Sequence, residues 1–194
     1  MPTRDTPDPD ARTRLLDAAE ELFYARGVQS VGMDEIRARS GLPLKRIYQL
    51  CPGGKDQLVV AFLDRRDRVW RGRLAAYADQ AQQPADRILA VFDWLGQWFA
   101  EPGFRGCAWI NAHGELGSVQ PGVARAVREH KDAFRRYLVG LVADAGYPDD
   151  VADAVYLLAE GATVTAGIDP RTDAAAKARQ TVALLLRAMQ VESI

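Results

Sequence analysis

With 194 residues, 48% of them hydrophobic, the chain carries enough apolar side chains to close a sizeable core. A net charge of −1 gives no global sign of a nucleic-acid binder, so any affinity for a polyanion must come from a local patch. The two cysteines, Cys51 and Cys107, form neither a disulfide framework nor a metal-ligand spacing, and no stretch reads as long or apolar enough to cross a membrane. A reduced, cytoplasmic protein is expected.

Residues 1–9, rich in Pro and Asp, read as a disordered lead-in without the apolar core of a signal peptide. A first helix starts after Asp10, carries Leu15, Ala18, Ala19, Leu22 and Phe23 on one face, and ends at Gly27. After a loop through Ser30 and Gly32, the stretch from Met33 to Leu50 divides into two short helices that meet at Gly41. Ile36 and Ser40 lie a turn apart on the first; Leu44, Ile47 and Tyr48 repeat at helical spacing on the second. Gly41 suits a left-handed C-cap, and Pro43 suits the start of the next helix. So tight a junction makes a helix-turn-helix, whose second helix can enter a DNA major groove. Arg37, Arg39, Lys45, Arg46 and Lys55 fall in a span with no acidic residue, a patch of the kind that neutralises phosphate. These three helices, over residues 10–55, are too small to close a core without the next one.

That next helix should run from about Asp56 to Tyr77, with Leu58, Ala61, Phe62, Arg65 and Val69 inward and alternating charge from Asp64 to Arg68 outward. No flexible linker separates it from the remainder of residues 56–194, so it reads as a rigid lever. The segment from Asp86 to Phe99 is apolar nearly all round, with Trp94 and Trp98 a turn apart, and should be buried. A helix from Phe104 to Gly117 follows, then one opened by Pro121 and ended at Gly146, then one capped by Asp149 or Asp150 and broken at Asp169-Pro170. The last, roughly Thr172 to Gln190, contains Val182-Ala183-Leu184-Leu185-Leu186 and must bury two faces, one of them against another subunit. The fold class is all-α: a three-helix helix-turn-helix DNA-binding head joined to a helical ligand-binding and dimerisation body.

The ordered set Leu15–Phe23 with Gly27, Val31–Ile36, Ser40-Gly41-Leu42, Ile47-Tyr48, and Pro52 to Asp56 with Leu58 resembles the tetracycline-repressor (TetR) family of transcriptional regulators. It covers about the first third of the chain. The resemblance implies a homodimer with one head per subunit on a palindromic double-stranded DNA operator, and a body that answers a small-molecule effector. Carried over residue by residue, it implies that Arg37, Pro43, Leu44, Lys45, Arg46, Tyr48 and Gln49 face DNA, with Lys55 reaching a phosphate from the following helix. Lys45 and Arg46 can donate to guanine or phosphate, Gln49 can read adenine, Leu44 can meet a thymine methyl, and Tyr48 suits phosphate. Gly32 stands where a Ser or Thr often caps the second helix, Pro43-Leu44 replaces a common polar pair, and Leu50-Cys51 replaces two aromatics.

In the body, Trp94, Trp98, Phe99, Phe104, Trp109, Asn111 and His113 are the candidate contacts of an apolar or aromatic effector. Val155, Leu158, Ala162, Val182, Leu185, Leu186 and Met189 are the expected dimer surface. No cofactor or metal is expected, and neither is an enzyme. His113 and Glu115 point to different sides of a helix, His130 sits among Arg128, Glu129 and Lys131 on a charged face, and no nucleophile elbow or phosphate loop occurs. Cys107 reads as a buried structural thiol, because nothing near it in sequence would activate it. The output expected is repression of a neighbouring gene; the alternative is a helical sensor or adaptor that has lost specific DNA binding.

Overall fold

Helical periodicity becomes helix throughout the residues described by the structure, a computed structural model covering residues 10–169, 171 and 173–191. The lead-in at 1–9, and Thr172 at the expected start of the last helix, lie outside them. Among the described residues there are nine helices and no strand: α1 (Ala11–Arg26), α2 (Met33–Ser40), α3 (Leu44–Leu50), α4 (Gly54–Ala78), α5 (Pro84–Phe99), α6 (Ala108–Leu116), α7 (Pro121–Asp144), α8 (Asp149–Ile168) and α9 (Ala174–Val191).

The head forms because three short stripes share one apolar centre. Leu15, Ala19 and Phe23 of α1 meet Ile36 of α2 and Ile47 of α3, and the first turns of α4 close the cluster with Leu58 and Phe62. Phe62 packs edge-on against Phe23, ring centroids 5.9 Å apart. Thus α4 belongs to both cores: Leu58 and Phe62 close the head, and Val59, Leu63, Trp70, Leu74 and Ala78 are buried along its length. The inward stripe expected for this helix needs correction, since Val69 is 56% exposed and Trp70 takes the buried position. Between the two apolar runs α4 turns polar because it faces α1 there. Arg65 donates to Asp17 and Glu20, at 2.6 Å each, and Arg66 donates to Glu20 at 2.7 Å while lying 3.9 Å over the Tyr24 ring.

The body is built round Trp70. Its ring is packed edge-on by Trp94 and Trp98 of α5, Trp109 of α6, and His130 and Phe134 of α7, with centroids 5.1–6.3 Å away. His130 therefore does not sit on a charged face as its neighbours in sequence suggested. It is buried, stacked flat on Trp109 at 3.5 Å, and its Nδ1 lies 2.7 Å from Asp67 Oδ1. Burial pushes the imidazole below the usual histidine range, against the pull of Asp67. For Asp67, burial acts upward but hydrogen bonds from His130 and Arg71 outweigh it, and the carboxyl is held well below the usual range. Neutral His130 thus donates from Nδ1 to an ionised Asp67.

Both shifts make the fold acid-sensitive. A depressed folded pKa means that the unfolded chain takes up a proton first as pH falls below about 6.5, so stability declines from there. The Asp67 contribution is intact above about 3.9 and is lost only at lower pH. The urea midpoint is expected to fall between pH 7 and pH 5, and His130→Gln should flatten that fall. Equal slopes in the two proteins would remove His130 as the cause.

Two further expectations change. Residues Gly103 and Gly106 take positive φ (81° and 77°), so the chain from Phe104 to Cys107 is not helical and α6 begins only at Ala108. Of the expected dimer surface, Val155, Ala162, Val182 and Leu186 are already buried inside the chain, and Leu158, Leu185 and Met189 are half-buried. The most apolar stripe of each helix is its core face. The exposed apolar side chains of α8 and α9 are instead Leu157, Val164, Ile168 and Leu184, the first and last about two-thirds exposed. Helix α8 is also long and apolar enough to cross a membrane by length and composition, contrary to the sequence reading, although part of it is buried against α7 and α9.

Candidate nucleic-acid interface

The outward face of α3 is set by what its other face buries. Gly41 takes the left-handed conformation (φ +68°) at the end of α2, Pro43 holds φ −61° at the N-cap of α3, and the turn between them directs Ile47 wholly into the core. Leu44 and Tyr48 are then left 38% and 45% exposed, with Pro43, Lys45 and Gln49 exposed beside them. Arg46 is half-buried and its Nη1 donates to Gln49 Oε1 at 3.2 Å, which orients the amide. Lys55 lies in the first turn of α4. Six of the eight candidate DNA contacts thus share one short helix and its cap.

The basic patch is smaller than the sequence suggested. Arg39 donates two hydrogen bonds to Glu21 and braces α2 against α1. Arg37 pairs with Asp34 at 3.4 Å in an exposed contact that costs little to exchange for a phosphate. Lys45, Arg46 and Lys55 make no ion pair among the described residues, so they form its free part. One cation escaped the sequence reading: Arg12 at the start of α1 is exposed and acts electrostatically on Cys51 at the end of α3. Only the fold brings the two helix ends together. At the N-terminus of α2 no side chain caps the first-turn amides, and Glu35 Oε1 accepts the Gly32 N–H at 3.1 Å.

Besides the α1–α4 ion pairs, hydrogen bonds among the described residues join head to body at two points. Glu115 in the last turn of α6 accepts the backbone N–H of Val28 at 3.0 Å and of Gln29 at 2.7 Å, and its carbonyl accepts from Gln29 Nε2 at 2.6 Å. Gly27 permits this approach: at φ +85°, it has no Cβ, which would come within 2.9 Å of Glu115 Oε1. Tyr24 of α1 donates to the Gly106 carbonyl at 2.9 Å and accepts the Arg105 N–H at 3.0 Å. A cavity of about 530 Å³ opens between these attachments. Glu115→Ala would strip two amides of their acceptor, at a cost of about 1–3 kcal/mol. Hydrogen exchange at Val28 and Gln29 should accelerate at least tenfold, and less so in Glu115→Gln; unchanged exchange would mean the contact does not hold that loop.

The candidate effector residues are not gathered round one opening. Trp94, Trp98 and Trp109 are buried in the cluster around Trp70. Phe99 and Phe104 are half-buried against Trp98, at 5.6 and 5.0 Å. Phe104 and Asn111 line the head–body cavity, whereas His113 is exposed beyond the buried edge of α6 formed by Ala108, Trp109 and Ala112. Glu115, which the sequence places beside Asn111 and His113, also lines that cavity, as do Tyr24 and Arg105, which no local sequence pattern marked.

Comparison with known proteins follows the same division of the chain. The family model described as bacterial regulatory proteins, tetR family, matches residues 15–62. The transcriptional regulator LmrA of Bacillus subtilis (strain 168) is 31% identical over 91 residues, 47% of this chain and 48% of LmrA. The transcriptional activator FasR of Mycolicibacterium smegmatis is 34% identical over 93 residues, 46% of this chain and 42% of FasR. The chain therefore spans about half the length of the curated relatives it matches or somewhat less. Similarity to the crystal structure of SCO4454, a TetR-family regulator from Streptomyces coelicolor, extends over 93% of this chain and 96% of that one, with 32% identity and a TM-score of 0.84.

Proposed function

This chain belongs to the TetR family of DNA-binding transcriptional regulators, and on that premise we propose that it acts in the cytoplasm as a homodimeric repressor, released from a palindromic operator by a small apolar or aromatic effector. The reading is supported above all by the outward face of α3, where Leu44, Lys45, Tyr48 and Gln49 stand clear of a helix anchored by Ile47. Lys45 and Arg46 donate to phosphate or guanine, Gln49 reads adenine, Tyr48 fixes the backbone, and Lys55 and Arg37 add phosphate contacts.

Pairing of two such heads is supported by the exposed side of the body. Leu157, Gly161, Val164 and Ile168 recur along one face of α8, and α9, packed beside it, exposes Leu184. A second copy buries these apolar side chains and sets two α3 helices one helical turn of DNA apart, about 34–36 Å. Effector binding favours a body conformation in which α4 and the Glu115 and Tyr24 attachments shift the heads, by no more than its differential affinity for the two states. FasR is named an activator, so the sign of regulation is itself a target of the test.

Leu184→Arg should convert the dimer to monomer in sedimentation without lowering helix content, because this side chain makes no core contact. A footprint on the upstream intergenic DNA should then disappear with it. A variant that stays dimeric and keeps the footprint would overturn the assigned surface.

A further inference from the structure

The outward face of α3 holds one hydrogen bond between side chains among the described residues: Arg46 Nη1 donates to Gln49 Oε1 at 3.2 Å, across one turn. Its two partners are placed differently. Arg46 is half-buried and makes no ion pair among the described residues, whereas Gln49 is exposed. A carboxamide has nearly the same shape whichever way its oxygen and nitrogen point, so an unrestrained glutamine offers a base pair either order of donor and acceptor. A guanidinium only donates, so the atom it meets is the oxygen, and the amide nitrogen is thereby turned to the other side. The oxygen keeps a second lone pair for a base. Adenine asks for both groups in that fixed relation, the oxygen accepting from N6 and the nitrogen donating to N7. The other N–H groups of the guanidinium stay available to a phosphate.

We propose that Arg46 is a positioning residue: by holding the Gln49 oxygen it fixes the order of donor and acceptor that Gln49 shows to DNA, and so sharpens the choice of adenine at the base pair that Gln49 reads. The inference rests on the reading of α3 above and deepens it, since there Arg46 meets only phosphate or guanine. Holding the amide before DNA arrives also removes part of the entropy lost on contact. Ordering one long side chain is worth about threefold to tenfold in affinity.

The test has two arms. Without DNA, NMR relaxation of the Gln49 side-chain amide should show a more mobile group in Arg46→Met, which has neither donor nor charge. Arg46→Lys, which keeps both, should stay near the parent. On the upstream intergenic duplex, single base-pair replacements should reveal one position where Gln49→Ala loses a preference for adenine. At that position Arg46→Met should lose about threefold to tenfold of the preference, and Arg46→Lys should restore most of it. Adding Arg46→Met to Gln49→Ala should lose no more of it, because the first acts through the second. Equal amide mobility in the parent and Arg46→Met would overturn the positioning role. So would a loss uniform over all duplexes with the adenine preference intact, or a changed preference at a different base pair. If Gln49→Ala and Lys45→Ala altered no preference at any position, the reading of α3 itself would fall, and this inference with it.

Discussion

Replacing Trp70 by alanine is expected to lower the stability of the fold by about 3–5 kcal/mol, and the melting temperature by roughly 10–15 °C. The residue is the hub of the body. Rings from α5, α6 and α7 all pack against it, and none of them can move into the vacated volume without leaving another ring unsupported. A small offset acts the other way, since the Trp70 indole N–H is buried without an acceptor and its loss removes an unpaired donor. Trp70→Phe keeps part of the contact area and should cost about half as much. Urea denaturation followed by circular dichroism measures both, and a loss below about 1 kcal/mol would show that the cluster is loosely packed. The consequence reaches the DNA-binding end because the same helix that carries Trp70 also carries Leu58 and Phe62 in the head core.

Lys45→Ala combined with Arg46→Ala is expected to weaken operator binding by about 10²-fold or more, with each side chain worth about 1–3 kcal/mol where it meets a base edge or a phosphate. The salt dependence should lose a slope of roughly one for each phosphate contact removed. Neither cation has an ion pair among the described residues, and Lys45 is exposed, so the melting temperature should hardly change. Arg39→Ala is the contrasting variant. That guanidinium is spent on Glu21 across α1 and α2, and its loss should cost about 0–1 kcal/mol of stability while leaving the affinity near that of the parent. If Arg39→Ala and Lys45→Ala were equally damaging to binding, the division of the patch into bracing and DNA-facing cations would be wrong.

The head was legible in the sequence because its signals are local. Gly41, Pro43 and the spacing of Ile36, Leu44, Ile47 and Tyr48 specify two helices and a turn within eighteen residues, and the buried and exposed faces of α3 follow from that spacing. The body was legible only as helices. Periodicity tells which side chains are apolar, not which neighbour covers them, so Val155 and Val182 read as an intersubunit surface although they face the core of their own chain. His130 misled for the same reason: its charged neighbours in sequence point elsewhere, and the Asp67 carboxylate and Trp109 ring that enclose it come from other helices. Lys131 comes within 3.5 Å of the Cys107 sulfur by the same route, across two helices. Arg105 could not be singled out at all, and Glu115 stood out only beside His113, not for the contact it makes. A lone glutamate near a helix end is common, and its meaning here depends on the backbone amides of Val28 and Gln29, far away in sequence.

The central claim is that α3 presents a cationic, sequence-reading face to duplex DNA. Its most direct measurement is a salt titration of the full chain on the upstream intergenic duplex and on a scrambled duplex of equal composition. The account predicts a steep fall of affinity with salt on both, and an intergenic preference of about 10³-fold or more at physiological salt that Lys45→Ala reduces by about fivefold or more. Equal affinity for the two duplexes, or a preference untouched by Lys45→Ala, would contradict it.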